Sequence, residues 1–266
     1  MRGYISYFKA ELKAGLQYKT AALSGLTTQF FWGIIFALVY TSFYRHTSIQ
    51  DINISQLMDY VWLNQALLTL IYIGLNDEAI IGSIKDGTVA YELLRPYDLY
   101  TWWYVKLVAR RYALVMLRCL PIIVFALILP APYNLSLPVS IGSFLMFLLT
   151  MFLGTIIVTA INMIVNSLAF FTNENRGISS IIYTIADLLE GGQIPLPLLS
   201  GFVLVIASFT PFRYIEDLPF RLYSGHIDIM TGIKEISIEL IWIIGLLIIG
   251  KLILKKALSK VSIQGG

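Results

Sequence analysis

Long apolar runs dominate this chain, and the longest extends from about residue 138 to residue 171 without one charged side chain. A helix crosses a bilayer with about 20 consecutive apolar residues, so a run of this length is typical of a membrane span. Only 13% of the 266 residues are charged and 58% are hydrophobic, whereas about 25% of residues in a soluble domain are charged. A soluble core of this size cannot take up so much apolar surface, so lipid must be the solvent. The runs lack the alternating segments of a membrane β-barrel, and we predict an all-α integral membrane protein.

Six apolar segments are candidate membrane spans. They cover about residues 21–43, 56–75, 112–129 and 138–171, a fifth segment that begins near residue 178, and residues 236–254. No internal repeat or soluble domain is visible between them. We therefore predict a single transmembrane domain over residues 1–266 with six helices.

The fifth segment is too short for a simple span. The segment from Ile178 to Glu190 has only 13 residues. A Gly-Gly pair follows it, and then Pro195 and Pro197. Such broken segments occur at membrane depth where protein shields them or where they line a wet cavity. The pattern favours a fifth span followed by a partly re-entrant piece on the outer side. One tilted and kinked helix over residues 178–208 is the alternative.

Lysine and arginine are distributed unevenly between the two sides that these spans define. With a cytosolic N-terminus, 14 of the 19 basic residues lie on the cytosolic side, among them Arg110 and Arg111. The positive-inside rule therefore predicts that both termini are cytosolic. The four outer basic residues are Arg45, Arg213, Arg221 and Lys234, and Arg118 falls within the third span.

The N-terminal residues 1–19 have the pattern of an amphipathic helix. Tyr4, Phe8, Leu12 and Leu16 recur at a spacing of four, with lysines elsewhere on the turn. We predict that this helix lies in the membrane interface before the first span.

The sequence lacks the motifs of several kinds of chemistry. No GxxxxGK[ST] occurs, so the chain has no P-loop for ATP. Two distant histidines, His46 and His226, and the single Cys119 do not support a metal site or histidine-based catalysis. A net charge of +3 does not indicate a nucleic-acid partner. We expect no catalytic residue, bound metal or cofactor in this chain.

Polar residues within or near the spans are candidates for a translocation pathway. Intramembrane charge is costly, so each ionisable group should pair, reach the interface or face a polar route. Asn162 and Asn166 share one face of the fourth helix, where hydrogen bonds between helices are the commoner use of asparagine. For this set, a role in lining the pathway and a role in helix packing are both open. The residues are Asp59, Arg118, Asn162, Asn166, Asp187 and Glu190.

One mixed-charge stretch, residues 83–96, lies between the second and third spans and is predicted to be cytosolic. Asp86-Gly87 marks a turn, and Arg95-Pro96 ends whatever follows it. Between them Val89, Leu93 and Leu94 share one side of a predicted short amphipathic helix. This helix either docks in a groove of a partner or lies on the lipid surface.

The same stretch resembles a known family. The order GSIKDGT (82–88) and then ELLRP (92–96) is similar to the cytosolic loop of type 2 ATP-binding-cassette (ABC) exporter permeases. The later GGQIPLPLL (191–199), followed by Thr210-Pro211-Phe212 and Pro219, resembles the outer segment of that family. The likeness is greatest to the branch in which paired permeases work with a separate ATPase.

The resemblance implies an architecture and a function. It implies six helices per permease, two permeases per complex, and cytosolic ATPase subunits that bind ATP and magnesium. Residues 83–96 would hold the coupling helix, with Gly87, Thr88, Val89, Glu92, Leu93, Leu94 and Pro96 as the coupling residues. The chain would be a multi-pass permease of a bacterial plasma membrane, in contact with lipid, that exports an amphipathic or apolar substrate.

A transporter of another class is the alternative function. An ion- or proton-coupled secondary transporter would use Asp59, Arg118, Asp187 and Glu190 as a relay. Such a protein would show related halves with paired broken segments, and only the second half of this sequence has one.

Overall fold

The computed structural model describes residues 2–46, 51–75, 77–172 and 176–259. These residues form eleven α-helices and two short 3₁₀ turns, with no strand among them, so the predicted all-α class is confirmed. The 3₁₀ turns are Leu196–Leu198 and Phe212–Tyr214. The helices are α1 (Arg2–Leu16), α2 (Lys19–His46), α3 (Ile54–Ile71), α4 (Glu78–Lys85), α5 (Val89–Leu93), α6 (Leu99–Ile128), α7 (Ile141–Thr172), α8 (Arg176–Glu190), α9 (Phe202–Ser208), α10 (Asp217–Tyr223) and α11 (Ile229–Leu258).

Four helices in the described part of the chain are long and apolar enough to cross a membrane. They are Ala22–His46 within α2, and the whole of α6, α7 and α11. The predicted second and fifth spans correspond to α3 and α8, which have 18 and 15 residues and more polar side chains. A count of six spans therefore stays a prediction.

Helix α7 lies at the centre of the fold. Most of its side chains are buried, and it packs against α6, α10 and α11. Gly154 permits a close approach, because a Cβ there would lie 2.6 Å from the Tyr214 carbonyl oxygen. The Thr155 and Thr159 hydroxyls donate to carbonyls one turn earlier, at 2.8 and 2.7 Å. These bonds satisfy buried polar groups without a partner from another helix.

Helices α1 and α2 run alongside α6 in the same direction. Gly15 packs against Ala113, and the Phe30 and Phe125 rings lie 4.9 Å apart. The predicted apolar face of α1 is its half-buried face. Tyr7 stacks on Trp102 at 3.6 Å, and burial together with the Glu11 carboxylate raises the pKa of its phenol. The face of α1 that was predicted to contact lipid therefore packs against α6.

Two predicted boundaries were wrong. The third span was expected to begin at residue 112, but α6 begins at Leu99, because the Asp98 carboxylate caps it by accepting from the Thr101 N–H at 2.9 Å. A 30-residue helix is about 45 Å long, which exceeds the roughly 30 Å of hydrocarbon. The alternative interpretation, one kinked helix over residues 178–208, is also wrong. Helix α8 ends at Glu190, and Gly191 turns the chain with φ +93°.

Candidate functional site

The predicted coupling stretch belongs to a segment of two short helices, which we call the 77–98 segment. Asp77 caps α4 by accepting from the Ala79 N–H at 2.9 Å. Gly87 then turns the chain with φ +71°, a conformation that favours glycine. Helix α5 has only five residues, so the expected two-turn helix is shorter than predicted. Thr88 precedes α5 without a side-chain capping bond.

The exposed face of α5 differs from the predicted one. Val89 was expected to share an outer face with Leu93 and Leu94, but it is only 2% exposed and packs in a cluster with Ile84 and Leu107. That expectation was wrong, because the turn at Gly87 directs α5 so that its first residue faces the protein. Leu94 is 82% exposed and Leu93 is 37% exposed, while Tyr91, which the sequence analysis missed, is 73% exposed.

Polar contacts hold the 77–98 segment against α6. Asp77 pairs with Lys106 at 3.0 Å and lies 3.7 Å from Arg110. The Trp103 indole N–H donates to Glu92 Oε2 at 2.6 Å. Both ends of the segment are therefore tied to one long helix.

Apolar contacts extend this attachment to two further helices. The cluster around Val89 includes Met163 and Ala169 of α7 and Leu254 of α11. A force applied to α5 would therefore reach the ends of three long helices through close packing.

Aromatic contacts enclose the stretch around Pro96. The Arg95 guanidinium lies 5.8 Å from the centre of the Trp102 ring, and Tyr97 stacks on the same ring at 5.1 Å. The Tyr4 hydroxyl of α1 accepts a hydrogen bond from the Asp98 N–H at 3.1 Å. Helix α1 thus supports the junction between α5 and α6.

Four of the predicted pathway residues lie outside the cavity described below. Asp59 accepts from the Ser136 N–H at 2.6 Å and so fixes the loop before α7. The Arg118 guanidinium packs over Gly25 of α2. Asn162 donates to the Leu75 carbonyl at 2.9 Å, whereas Asn166 is fully buried on α7. These contacts support packing rather than a common route.

The other two predicted residues, Asp187 and Glu190, line a cavity that we call the acidic pocket. It measures about 250 Å³ and lies between α2, α3 and the end of α8. The Asp187 and Glu190 carboxyl groups are close enough to interact electrostatically. The described residues that line the pocket are Trp32, Phe36, Asn64, Gln65, Leu68, Ile71, Tyr72, Asp187, Glu190, Gly192, Gln193 and Glu216.

Glu216 is a member of the pocket that the sequence analysis missed. The Asn64 amide donates to Glu216 Oε1 at 2.7 Å, and the Gln65 amide donates to Asn64 Oδ1 at 2.8 Å. A Cβ on Gly192 would lie 3.2 Å from Glu190 Oε1 and 3.3 Å from Glu216 Oε2. The two carboxyl groups therefore face each other across a glycine.

Arg111 lies behind the pocket rather than at a membrane edge. It was assigned to the cytosolic set, but its side chain is buried and donates to the carbonyls of Leu70 and Tyr72 at 3.0 and 2.9 Å. These are carbonyls at the end of α3 that have no partner within the helix. Arg111 is also close enough to interact electrostatically with Glu190.

Sequence comparison identifies the family. A family model described as "ABC-2 family transporter protein" matches residues 26–265. The matched region includes both the 77–98 segment and the acidic pocket, and it confirms the resemblance to type 2 ABC permeases. A comparison with curated proteins found no match. With nearly its whole length matched, the chain belongs to the ABC-2 transporter family of membrane proteins.

Proposed function

We propose that this chain is the permease subunit of an ABC exporter. In this proposal a separate cytosolic ATPase binds ATP and magnesium, and the permease moves an amphipathic or apolar substrate outward. The chain itself binds no nucleotide, in agreement with the lack of a P-loop motif in its sequence.

The 77–98 segment is the observation that carries this proposal. Tyr91 and Leu94 project from a segment whose two ends are tied to α6. Exposed large apolar side chains on a rigid element are typical of a protein-binding surface. We assign docking on the ATPase to Tyr91, Leu93 and Leu94, while Gly87, Val89, Glu92 and Pro96 hold the segment in place.

The same proposal gives the chain six spans. Helices α3 and α8 would be the second and fifth spans; neighbouring helices bury most of α3, whereas α8 exposes Ile181 and Ile185. Helix α8 has 15 residues, or about 22 Å, less than the roughly 30 Å of a bilayer core. Residues 191–216 would then form the re-entrant outer piece. Both termini would be cytosolic, in the plasma membrane of a bacterium.

A second permease completes the proposed complex. It is either another copy of this chain or a similar one, and each copy would bring one 77–98 segment to an ATPase. Helix α1 would lie at the cytosolic membrane surface beside the start of α6.

The secondary-transporter alternative receives less support from the geometry. Its relay needs Asp59, Arg118 and the α8 carboxylates near one another. Asp59 instead binds the loop at Ser136, and Arg118 packs on α2.

Copurification of the ATPase tests the proposal. Leu94→Asp places a charge at the most exposed apolar position of the segment, and it should reduce recovery of the ATPase at least tenfold. Loss of a buried leucine contact costs about 2–5 kcal/mol, which is enough for this effect.

Leu137→Asp is the matched control. Leu137 is 75% exposed, in the loop before α7, and its substitution should leave ATPase recovery within twofold of wild type. Full ATPase recovery with both Leu94→Asp and Leu93→Asp would contradict docking through this segment.

A further inference from the structure

Two buried carboxylate oxygens point into the acidic pocket without a partner. Glu190 and Glu216 are 2% and 1% exposed, and Oε2 of each makes no hydrogen bond to any described residue. The Tyr60 hydroxyl, which a Cβ on Gly191 would overlap, is likewise buried and unpaired among those residues. Buried polar groups normally have partners, so this site is arranged for a group that arrives from elsewhere.

The charge of the pocket indicates the sign of that group. The lining includes three carboxyl groups, those of Asp187, Glu190 and Glu216. Arg111 offsets one of them from behind the pocket. No lysine or arginine is among the described residues of the lining. Carboxyl groups therefore outnumber cationic side chains at the pocket, and a cationic ligand would balance this excess.

The arrangement of donors favours an organic cation over a metal ion. Within the described residues, no three His, Cys, Asp or Glu side chains converge closely enough to hold a metal. An ammonium group needs hydrogen-bond acceptors that are spread around it, and the Glu190 and Glu216 carboxyl groups of the lining supply them. The pocket therefore matches an ammonium better than a bare divalent ion.

The remaining wall is apolar and aromatic. Trp32 and Phe36 of α2 face Tyr72 and Leu68 of α3 across the cavity. Aromatic faces attract cations, with about 0.5–2 kcal/mol per contact. Trp32 is also exposed at the outer surface of α2, so an apolar tail can leave the cavity there toward lipid. At about 250 Å³ the cavity holds a head group, because sites for drug-sized ligands have about 300–1,000 Å³.

We propose that the acidic pocket binds the protonated amine of an amphipathic substrate, with the ammonium between Glu190 and Glu216 and the apolar part along Trp32 and Phe36. This inference deepens the proposed export function by naming a substrate class. Asp187 lines the same cavity and adds a third carboxyl group beside Glu190.

Binding of a fluorescent amine and its neutral derivative tests the proposal. The full-length chain, with any subunits that copurify, is placed in phosphatidylcholine nanodiscs and titrated with dansylcadaverine and with N-acetyl-dansylcadaverine. The two probes differ in the ammonium charge. The amine should bind saturably and at least tenfold more tightly than the acetylated probe.

Isosteric variants locate the site. Glu190→Gln and Glu216→Gln remove the charge with little change in shape, and each should weaken amine binding at least tenfold without altering the acetylated probe. Glu239→Gln is the matched control, because Glu239 is a buried carboxylate of α11 outside the pocket. It should bind the amine within twofold of wild type.

Three results would overturn the proposal. They are no saturable binding of the amine to wild-type protein, equal binding of both probes, and wild-type affinity in both pocket variants. The first two need no variant, so misfolding of a variant cannot obscure the answer. The assay contains no ATP, so its failure would leave ATPase copurification as an independent test of the export function.

A lipid arm identifies the source of the amine. Phosphatidylethanolamine carries the same ammonium on an apolar body. If nanodiscs with this lipid weaken probe binding, the site takes a lipid amine; if they leave it unchanged, the site takes a soluble amphipathic amine.

Discussion

The 77–98 segment and the acidic pocket use carboxylates in opposite ways. In the segment, Asp77 has two cationic neighbours on α6, and Glu92 accepts from the Trp103 indole. In the pocket, Glu190 and Glu216 are more deeply buried, and each leaves an oxygen without a partner among the described residues.

The difference separates a rigid structural element from a binding site. Paired carboxylates stabilise one conformation, whereas unpaired buried ones cost free energy that a ligand can recover. Functional sites commonly reduce stability in this way. The same residue type therefore has two roles, and its partners decide which one.

The largest expected effect concerns the side of the membrane on which the 77–98 segment lies. In a Cys119→Ser background, a cysteine at Leu94 should react only from the cytosol. A cysteine at Leu137 should react only from outside, since both positions are well exposed. Labelling of intact cells with an impermeant maleimide measures this, with lysed cells as the control. Reaction of both cysteines from the same side would contradict the topology.

A pair of glycine substitutions compares the backbones of the two regions. Gly191→Ala should lower stability by about 2–4 kcal/mol, because it combines a left-handed backbone with overlap on the Tyr60 hydroxyl. Gly87→Ala should cost only about 1 kcal/mol, since its backbone is equally left-handed but its Cβ would meet no atom within 4 Å. Thermal unfolding in detergent measures both. Equal losses would mean that packing around Gly191 is looser than described.

Two N-cap variants test how firmly the 77–98 segment is attached. Asp77→Ala removes the cap of α4 and its contacts to α6, and should cost about 1–3 kcal/mol. It should also increase amide hydrogen exchange across residues 78–93, which mass spectrometry measures.

Asp228→Ala is the comparison for this variant. Asp228 caps α11 through Thr231, whose hydrogen bonds hold the pKa of that carboxyl below its usual range. The carboxylate is therefore ionised at neutral pH. The hydrogen bonds that cap α11 are lost only when the pH falls below this lowered pKa. At pH 7 the variant should leave exchange in residues 78–93 unchanged. Faster exchange there in both variants would contradict a local role for Asp77.

The smallest expected effect has opposite signs in the two regions. Glu216→Gln should stabilise the ligand-free protein by about 1 kcal/mol, because it removes a buried carboxyl group whose Oε2 has no partner among the described residues. Glu92→Gln should destabilise it by about 1 kcal/mol, because it weakens the charged acceptor of the Trp103 bond. Melting temperatures of the two variants should shift in opposite directions. A shift in the same direction would remove the distinction between the regions.

Much of the fold was accessible from sequence because lipid imposes a strict rule on the backbone. Every backbone polar group in the hydrocarbon must be satisfied within its own segment, so long apolar runs become helices. The exact first residues of helices could be predicted less well. Helix α6 begins 13 residues before its apolar core because Asp98 caps it, and a local capping bond leaves no trace in hydropathy.

The site was predictable only in part. The motif order GT, LL and P led to residues 83–96, and the cost of charge near a membrane span led to Asp187 and Glu190. Tyr91 was missed because the direction of a five-residue helix depends on the turn at Gly87, which periodicity does not describe.

By itself, the sequence determined that this protein is an all-helical membrane protein of the ABC-2 family, since apolar runs and motif order are properties of the chain alone. The tertiary structure decided that Val89 and Arg111 are buried and that Glu216 joins Glu190. In the chain the two carboxyls are separated by two 3₁₀ turns and α9. Their meeting depends on the path of that intervening chain, and this path is set by contacts with α2, α3 and α7 rather than by any local pattern.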